Sequence, residues 1–330
     1  MKNRFLETLA VYIPAAAGFI LFCSSSNVSA DGLMQEFNRN GVPAYCRVQV
    51  RLASDYWMSF RNENPKELKA ALIRADAEGG FPAWIKEYGR HLLESCGKNA
   101  ILFTGSMTDT LGAWYCQSVQ NIRKDVVVLP IGILDRVWFL DAMNRRHGFL
   151  GKSGEATGDP IGFESLNVAD SYAAPNLAAF LRILRTKRPE RPVYLSMDVN
   201  AGFLKAVQYR LALSGCVFRL RPHASKHGDP AIDLNPTRRL FSETAAFDAI
   251  RSQSRPAVPE VDSVRNHYRL AATRLLNATP RDGRTPKNGL TAEWIRHAFG
   301  NALLPAPEES GSGETGADAD SKDSKPAKGD

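Results

Sequence analysis

The sequence predicts an α/β fold: a three-layer, Rossmann-like, mostly parallel sheet with a helical C-terminal extension. Three observations lead there. Residues 100–103 (Ala-Ile-Leu-Phe) form an uninterrupted apolar run, as expected of a parallel strand covered on both faces. A polar turn at 104–110 and a helix-length segment then lead to a second apolar run within 125–134, which completes a βαβ unit whose crossover is right-handed by default. Strand-like and helix-like segments continue to alternate as far as residue 220.

The elements follow in order. A helix is expected over 64–74, where Asn64 can cap and Pro65 suits the first helical position because its missing N–H costs nothing there. The next runs over 82–95, with Trp84, Ile85, Tyr88, Leu92 and Leu93 on one stripe at the helical period, and ends near Gly97. After the first strand, a helix over 109–121 leads to the second strand at 126–134. A helix over 135–146 follows, and residues 148–168, rich in Gly, Ser and Asp, read as a long loop. A helix over 175–186 ends in the cations Arg182, Arg185, Lys187 and Arg188, which complement its dipole. The third strand is placed at 193–197 and its helix at 202–213, stopped by Gly215. The fourth strand, 216–220, alternates with Arg219 and Arg221 and is expected near the sheet edge. Helices near 264–277 and 291–304, joined by a turn-rich linker at 279–289, close the folded part.

These elements divide the chain into five parts. Residues 1–30 have the layout of a signal peptide or anchor: Lys2 and Arg4, an apolar run over 9–23, then Val28-Ser29-Ala30 as a small-residue cleavage site. Residues 31–59 are a lead-in, 60–225 the Rossmann-like domain and 226–304 the helical extension. Residues 305–330 form an acidic tail without an aromatic residue, expected to be disordered. The implied location is exported, periplasmic or extracellular, or held at the membrane by residues 9–23. Cys46, Cys96, Cys116 and Cys216 follow the leader and allow three disulfide pairings in an oxidising compartment, while Cys116 and Cys216 read as small buried residues.

The formal charge of +7 hides a basic body, for residues 31–304 carry +10. Cations cluster at 182–191 and again at Arg219, Arg221, His223, Lys226, Arg238 and Arg239. No aromatic residues interleave with them as a single-strand-binding groove requires, so nucleic acid is not an expected partner. A glycan, an anionic envelope ligand or a membrane-protein partner fits better.

The chemistry-bearing candidates gather at the carboxyl ends of the strands, where open α/β sheets bind ligands. They are Thr104, Gly105, Ser106, Thr108, Asp109 and Thr110 in the first turn, Asp135 after the second strand, and Asp198 and Asn200 after the third. A helix N-terminus there favours an anion, while capping by Thr108 or Asp109 accounts for the same residues without a ligand. The turn is neither a dinucleotide fingerprint nor a phosphate loop, no nucleophile elbow is present, and His223 and His227 flank no ligand-bearing helix. No cofactor and no metal are expected.

With those residues placed, Leu92-Leu-Glu-Ser95, AILFTGSMTDTLGAWY at 100–115, Asn121-Ile-Arg-Lys-Asp-Val-Val-Val-Leu129 and Ile133-Leu-Asp-Arg-Val-Trp-Phe139 resemble the soluble region of a bacterial family of multi-pass membrane proteins of the protein O-mannosyltransferase type, a domain of unknown function. Weaker similarities lie at Arg191-Pro-Val-Tyr-Leu195 and Gly215-Cys-Val-Phe-Arg-Leu-Arg-Pro222. Two departures matter. This chain lacks the family's many membrane helices, so the transferase activity does not carry over. The family's Asn-Gly-Asp-Asn-Asp-Thr turn stands here as Gly105-Ser-Met-Thr-Asp-Thr110, which replaces one of two carboxylates by Met107. The resemblance thus implies an exported, non-catalytic envelope protein that binds through the sheet's carboxyl edge. The alternative is a glycan- or phosphate-processing transferase or hydrolase using Asp109, Asp198 and Asp135.

Overall fold

Strand β1, Ile101–Thr104, is buried at every residue, which is why its sequence carries no polar alternation. It belongs to a computed structural model that describes residues 43–61, 64–134, 137–148, 181, 184, 190–199, 204, 210–221, 231–242, 247–253, 258–278 and 291–299. β2 (Val127–Pro130) runs parallel to β1 with Val127 opposite Ile101, and β3 (Val193–Ser196) runs parallel on the other flank with Val193 opposite Ile101. The α/β class is as expected.

The far half of the sheet differs from the expectation. Leu211–Ser214 is a strand, β4, so the helix expected over 202–213 does not reach its predicted end. It pairs antiparallel with β5 (Val217–Leu220), which itself runs antiparallel to β3. A Leu-Ala-Leu run satisfies a buried strand as readily as a helix, and the deciding signal is the two-residue turn after it. Gly215 sits there at φ +60°, in the first central position of a type II′-like hairpin, so it starts a turn rather than stopping a helix. β6 (Ala231–Asp233) lies parallel to β4, giving the order β2-β1-β3-β5-β4-β6. The sheet is therefore mixed, and β5 is interior. Arg219 alternates outward because that face of β5 is open, where it reaches Asp233 at 3.6 Å.

Helix α1 (Ala44–Arg61) occupies most of the expected lead-in, and it turns Val50, Leu52 and Ala53 into the core. α2 (Pro65–Ala77) starts as expected: the Asn64 side chain accepts from the amides of Lys66 and Glu67. α3 (Ala83–Glu94) buries the predicted stripe and crosses α4 (Met107–Ser118) backbone to backbone. A Cβ on Gly89 would stand 2.3 Å from the Gly112 carbonyl carbon, so that crossing requires glycine. After β2 a 3₁₀ turn, Ile131–Ile133, leads toward α5 (Val137–His147), and the strand ends four residues before the expected boundary.

The C-terminal helices are α6 (Leu234–Leu240), α7 (Asp248–Arg251), α8 (Pro259–Ala278) and α9 (Ala292–Phe299). Phe241, Phe247, Tyr268, Trp294 and Phe299 pack ring against ring, and Tyr268 also meets His91 of α3 edge-on. This aromatic cluster holds the extension on α3. It also keeps His91 neutral, for burial pushes its pKa down to about 3.

All four described cysteines are free and buried. Burial pushes the thiols of Cys46, Cys116 and Cys216 up to about 12. Among the described residues no helix is long and apolar enough to cross a membrane. The leader with its apolar run at 9–23, nearly all of the loop at 148–168, the linker at 279–289, the cations at 222–230 and the acidic tail lie outside the described residues. So does the helix over 175–186, except that Leu181 and Leu184 are buried.

Candidate functional site

The order β2-β1-β3 makes β1 the strand from which the chain departs in two directions, so the crevice between the carboxyl ends of β1 and β3 is the switch point of the parallel part. The turn after β1 and the segment after β3 meet there. A Cβ on Gly105 would lie 2.1 Å from the Asp198 carbonyl oxygen, so only glycine lets the two backbones approach this closely. The Gly105 amide donates to Ser196 Oγ at 3.0 Å and to Asp109 Oδ2 at 3.4 Å.

Ser106 caps α4, accepting from the Asp109 amide at 3.1 Å, so the expected cap at Thr108 or Asp109 is two or three residues too late. Thr108 and Asp109 instead lie in the first helical turn, buried. Thr110 Oγ1 donates to the Ser106 carbonyl at 2.8 Å, and since its proton is spent there, Thr104 Oγ1 is the donor in their 2.7 Å contact. The hydroxyls of Thr104 and Thr110 are thus satisfied within the turn.

Asp109 is 0% exposed. Burial, and next the charge of neighbouring Asp198, push its carboxyl well above the ordinary range against the opposing hydrogen bonds from Ser196 and Ser106. The Asp109 and Asp198 carboxyls are in hydrogen-bonding reach of each other. Asp109 Oδ1 has no donor to accept from, and a proton shared with Asp198 satisfies both groups.

Asp198 is the ionised partner. Burial alone would raise it, but the imidazole of His267 outweighs burial and, with hydrogen bonds from His267, Asp109 and Ser106, holds the carboxyl well below its usual range. Its Oδ1 lies 3.2 Å from His267 Nε2 and accepts from Ser263 Oγ at 3.1 Å. His267 Nδ1 is 2.9 Å from the hydroxyl of Tyr88, a fully buried residue of α3. With Nε2–H directed at Asp198, Nδ1 accepts the Tyr88 proton in the neutral ring and donates in the imidazolium. The result is a polar chain, Asp109–Asp198–His267–Tyr88, threaded through the core and joining the ends of β1 and β3 to α8 and α3.

Of the sequence candidates, then, Thr104, Thr108, Asp109 and Thr110 are buried, Ser106 and Asp198 half-buried, and Gly105 exposed. Asp109 and Asp198 converge. Asp135 and Asn200 lie outside the described residues. Sequence reasoning missed Ser196, Ser263, His267 and Tyr88. A signal for two of them exists: Ser263 and His267 stand four apart, on consecutive turns beside the buried stripe of Val264, Tyr268 and Leu275. Among the described residues no group of three or more His, Cys, Asp or Glu is placed to hold a metal.

Fold and site define an α/β domain whose carboxyl edge is closed by a helix through a carboxyl–imidazole network. Residues 85–148, which span nearly all of α3 and then β1, α4, β2 and α5, match the family model TMEM260-associated domain 2. The match covers the βαβ unit and Asp109, whereas Asp198 and His267 lie beyond it. No curated protein and no solved structure matches the chain.

Proposed function

We propose that this chain is an exported, non-catalytic envelope protein that works by binding, as an accessory to membrane proteins of the O-mannosyltransferase type. The family match supports the association, since TMEM260 is a protein O-mannosyltransferase. One observation carries the non-catalytic part: the two carboxyl groups at the switch point are turned into one another, and Asp109 has no exposed surface. Paired-carboxyl sugar chemistry places its two groups about 5–9.5 Å apart, with the scissile bond between them. Here no reacting atom fits between.

A specific observation favours a second reading, a glycan- or phosphate-processing enzyme. The Asp198 side chain is 21% exposed and pairs with His267, an acid–base couple in reach of solvent at the edge where α/β enzymes place their sites.

The full chain is tested in native envelopes by crosslinking and by turnover assays on the purified protein. The expected result is co-isolation of a multi-pass membrane protein of the O-mannosyltransferase type, with no mannosyl transfer and no glycoside hydrolysis. Sugar turnover that Asp198→Asn removes, while the circular dichroism spectrum is kept, overturns the proposal in favour of the second reading.

A further inference from the structure

Around the C-terminal end of α3 lies a cleft of about 420 Å³. The last turns of α3 form one wall with Arg90 and Glu94, the end of α6 forms the other with Arg239 and Leu240, and Ser95 and Arg123 complete the lining. Three guanidinium groups thus surround a space large enough for a small polar molecule.

Two helices end here, and their last carbonyl groups attract cations. That accounts for part of the arginine content. Arg123 donates to the carbonyls of Leu93, Cys96 and Gly97 at 2.7–3.1 Å and pairs with both oxygens of Asp125, so its hydrogen-bonding capacity is consumed. Arg239 gives Nη2 to the Glu94 carbonyl at 2.9 Å and pairs with no carboxylate among the described residues. Arg90 has neither an ion pair nor a carbonyl acceptor among the described residues, and its Nε is buried without a partner. Arg90 and Arg239 thus line the cleft as guanidinium groups with no ion pair among the described residues, charge that an anion in the cleft can answer.

We infer that this cleft binds a phosphate ester, with Arg90 and Arg239 as the two prongs that hold the phosphate oxygens. A guanidinium fork matches tetrahedral oxyanions in two-point geometry, and two forks that make no ion pair among the described residues supply charge that a phosphate anion neutralises. The wall carboxylate, Glu94, is exposed and leaves an ester's substituent as the part facing solvent. Two sources share this chemistry: a soluble small-molecule phosphate and the head group of an anionic lipid. The inference does not depend on the accessory role proposed above, since a phosphate site suits a binding protein and an enzyme alike.

The test titrates glycerol 3-phosphate into the full-length protein by calorimetry, and in parallel measures sedimentation with phosphatidylcholine vesicles with and without phosphatidylglycerol. Binding of either probe is expected, weakened about tenfold or more in Arg90→Gln and in Arg239→Gln, as the loss of a charge-assisted hydrogen bond requires. Both variants are expected to keep the wild-type circular dichroism spectrum. Arg182→Gln, from the other basic cluster, should leave binding unchanged. Binding of glycerol 3-phosphate assigns the soluble source, and binding only of phosphatidylglycerol vesicles assigns the lipid head group. No binding of either probe by the wild-type chain, or binding that Arg90→Gln and Arg239→Gln leave intact, overturns the inference.

Discussion

Replacing Asp109 by asparagine changes the proton inventory of the carboxyl pair while keeping its shape. In the folded chain the Asp109 carboxyl is held neutral, because burial and the Asp198 charge raise it well above the ordinary value of 3.8. The unfolded chain releases that proton once the pH passes about 3.8. The native state therefore binds one proton more than the unfolded state between 3.8 and the raised native value, and stability falls as pH rises through that window by about 1.4 kcal/mol per pH unit. The loss accumulates at that slope until the pH reaches the raised native value. The asparagine side chain has no proton to release, and its amide donates to Asp198 as the acid does. The expected outcome is a flatter curve for Asp109→Asn, whose stability relative to wild type rises with pH above 3.8 at up to about 1.4 kcal/mol per unit. Asp198 acts oppositely. Its depressed carboxyl contributes stability above 3.8 that is lost as pH falls below it, in both proteins alike. Urea unfolding followed by the fluorescence of buried Trp84 and Trp114 reads both curves. Parallel curves for wild type and Asp109→Asn, or equal destabilisation by Asp109→Asn and Asp109→Ala at pH 7, refute the reasoning.

Three further outcomes follow from the same contacts. Asp198→Asn leaves His267 and the Ser263 hydroxyl without their anion in a mostly buried setting, and unfolding free energy at pH 7 should drop by about 3–5 kcal/mol. Gly89→Ala drives a methyl group into the Gly112 carbonyl at the α3–α4 crossing, costing about 1–3 kcal/mol in denaturant titrations without loss of helical signal. Arg123→Ala removes the donors that close the end of α3 and the partner that depresses Asp125 to about 2. A fall in midpoint equivalent to about 2 kcal/mol or more is expected, and Arg123→Lys should not restore it, since one ammonium cannot reproduce the fork.

The parallel half of the fold was legible because burial on both faces leaves an unmistakable run: Ala100 to Phe103, Val127 to Leu129 and Val193 to Leu195 carry no polar group other than the hydroxyl of Tyr194. The hairpin was not, because Leu211-Ala-Leu-Ser214 has no period long enough to separate strand from helix, and because Gly215 serves equally well as a helix stop and as a II′ turn. β6 has only three residues and no apolar run. At the site, Asp109 and Asp198 were found by a rule that depends only on strand ends. His267 was not, for it comes from a helix whose docking on the sheet edge is set by aromatic packing far along the chain, around Tyr268 and Phe247. The four-residue spacing of Ser263 and His267 marks a polar pair on α8, but nothing local names a partner 179 residues away such as Tyr88.

The buried thiols give the protein a reporter of its own motions. With values near 12, Cys46, Cys116 and Cys216 present roughly one thiolate in ten thousand molecules at pH 8 even before steric shielding is counted. An alkylating reagent therefore reads not the native chain but its openings. Each cysteine samples a different seam: Cys46 the first helix against α8, Cys116 the α4 flank, Cys216 the hairpin tip where its amide meets Ser95 Oγ at 3.1 Å. Modification rates, cysteine by cysteine, would rank which seams breathe alone and which part only when the whole chain comes apart.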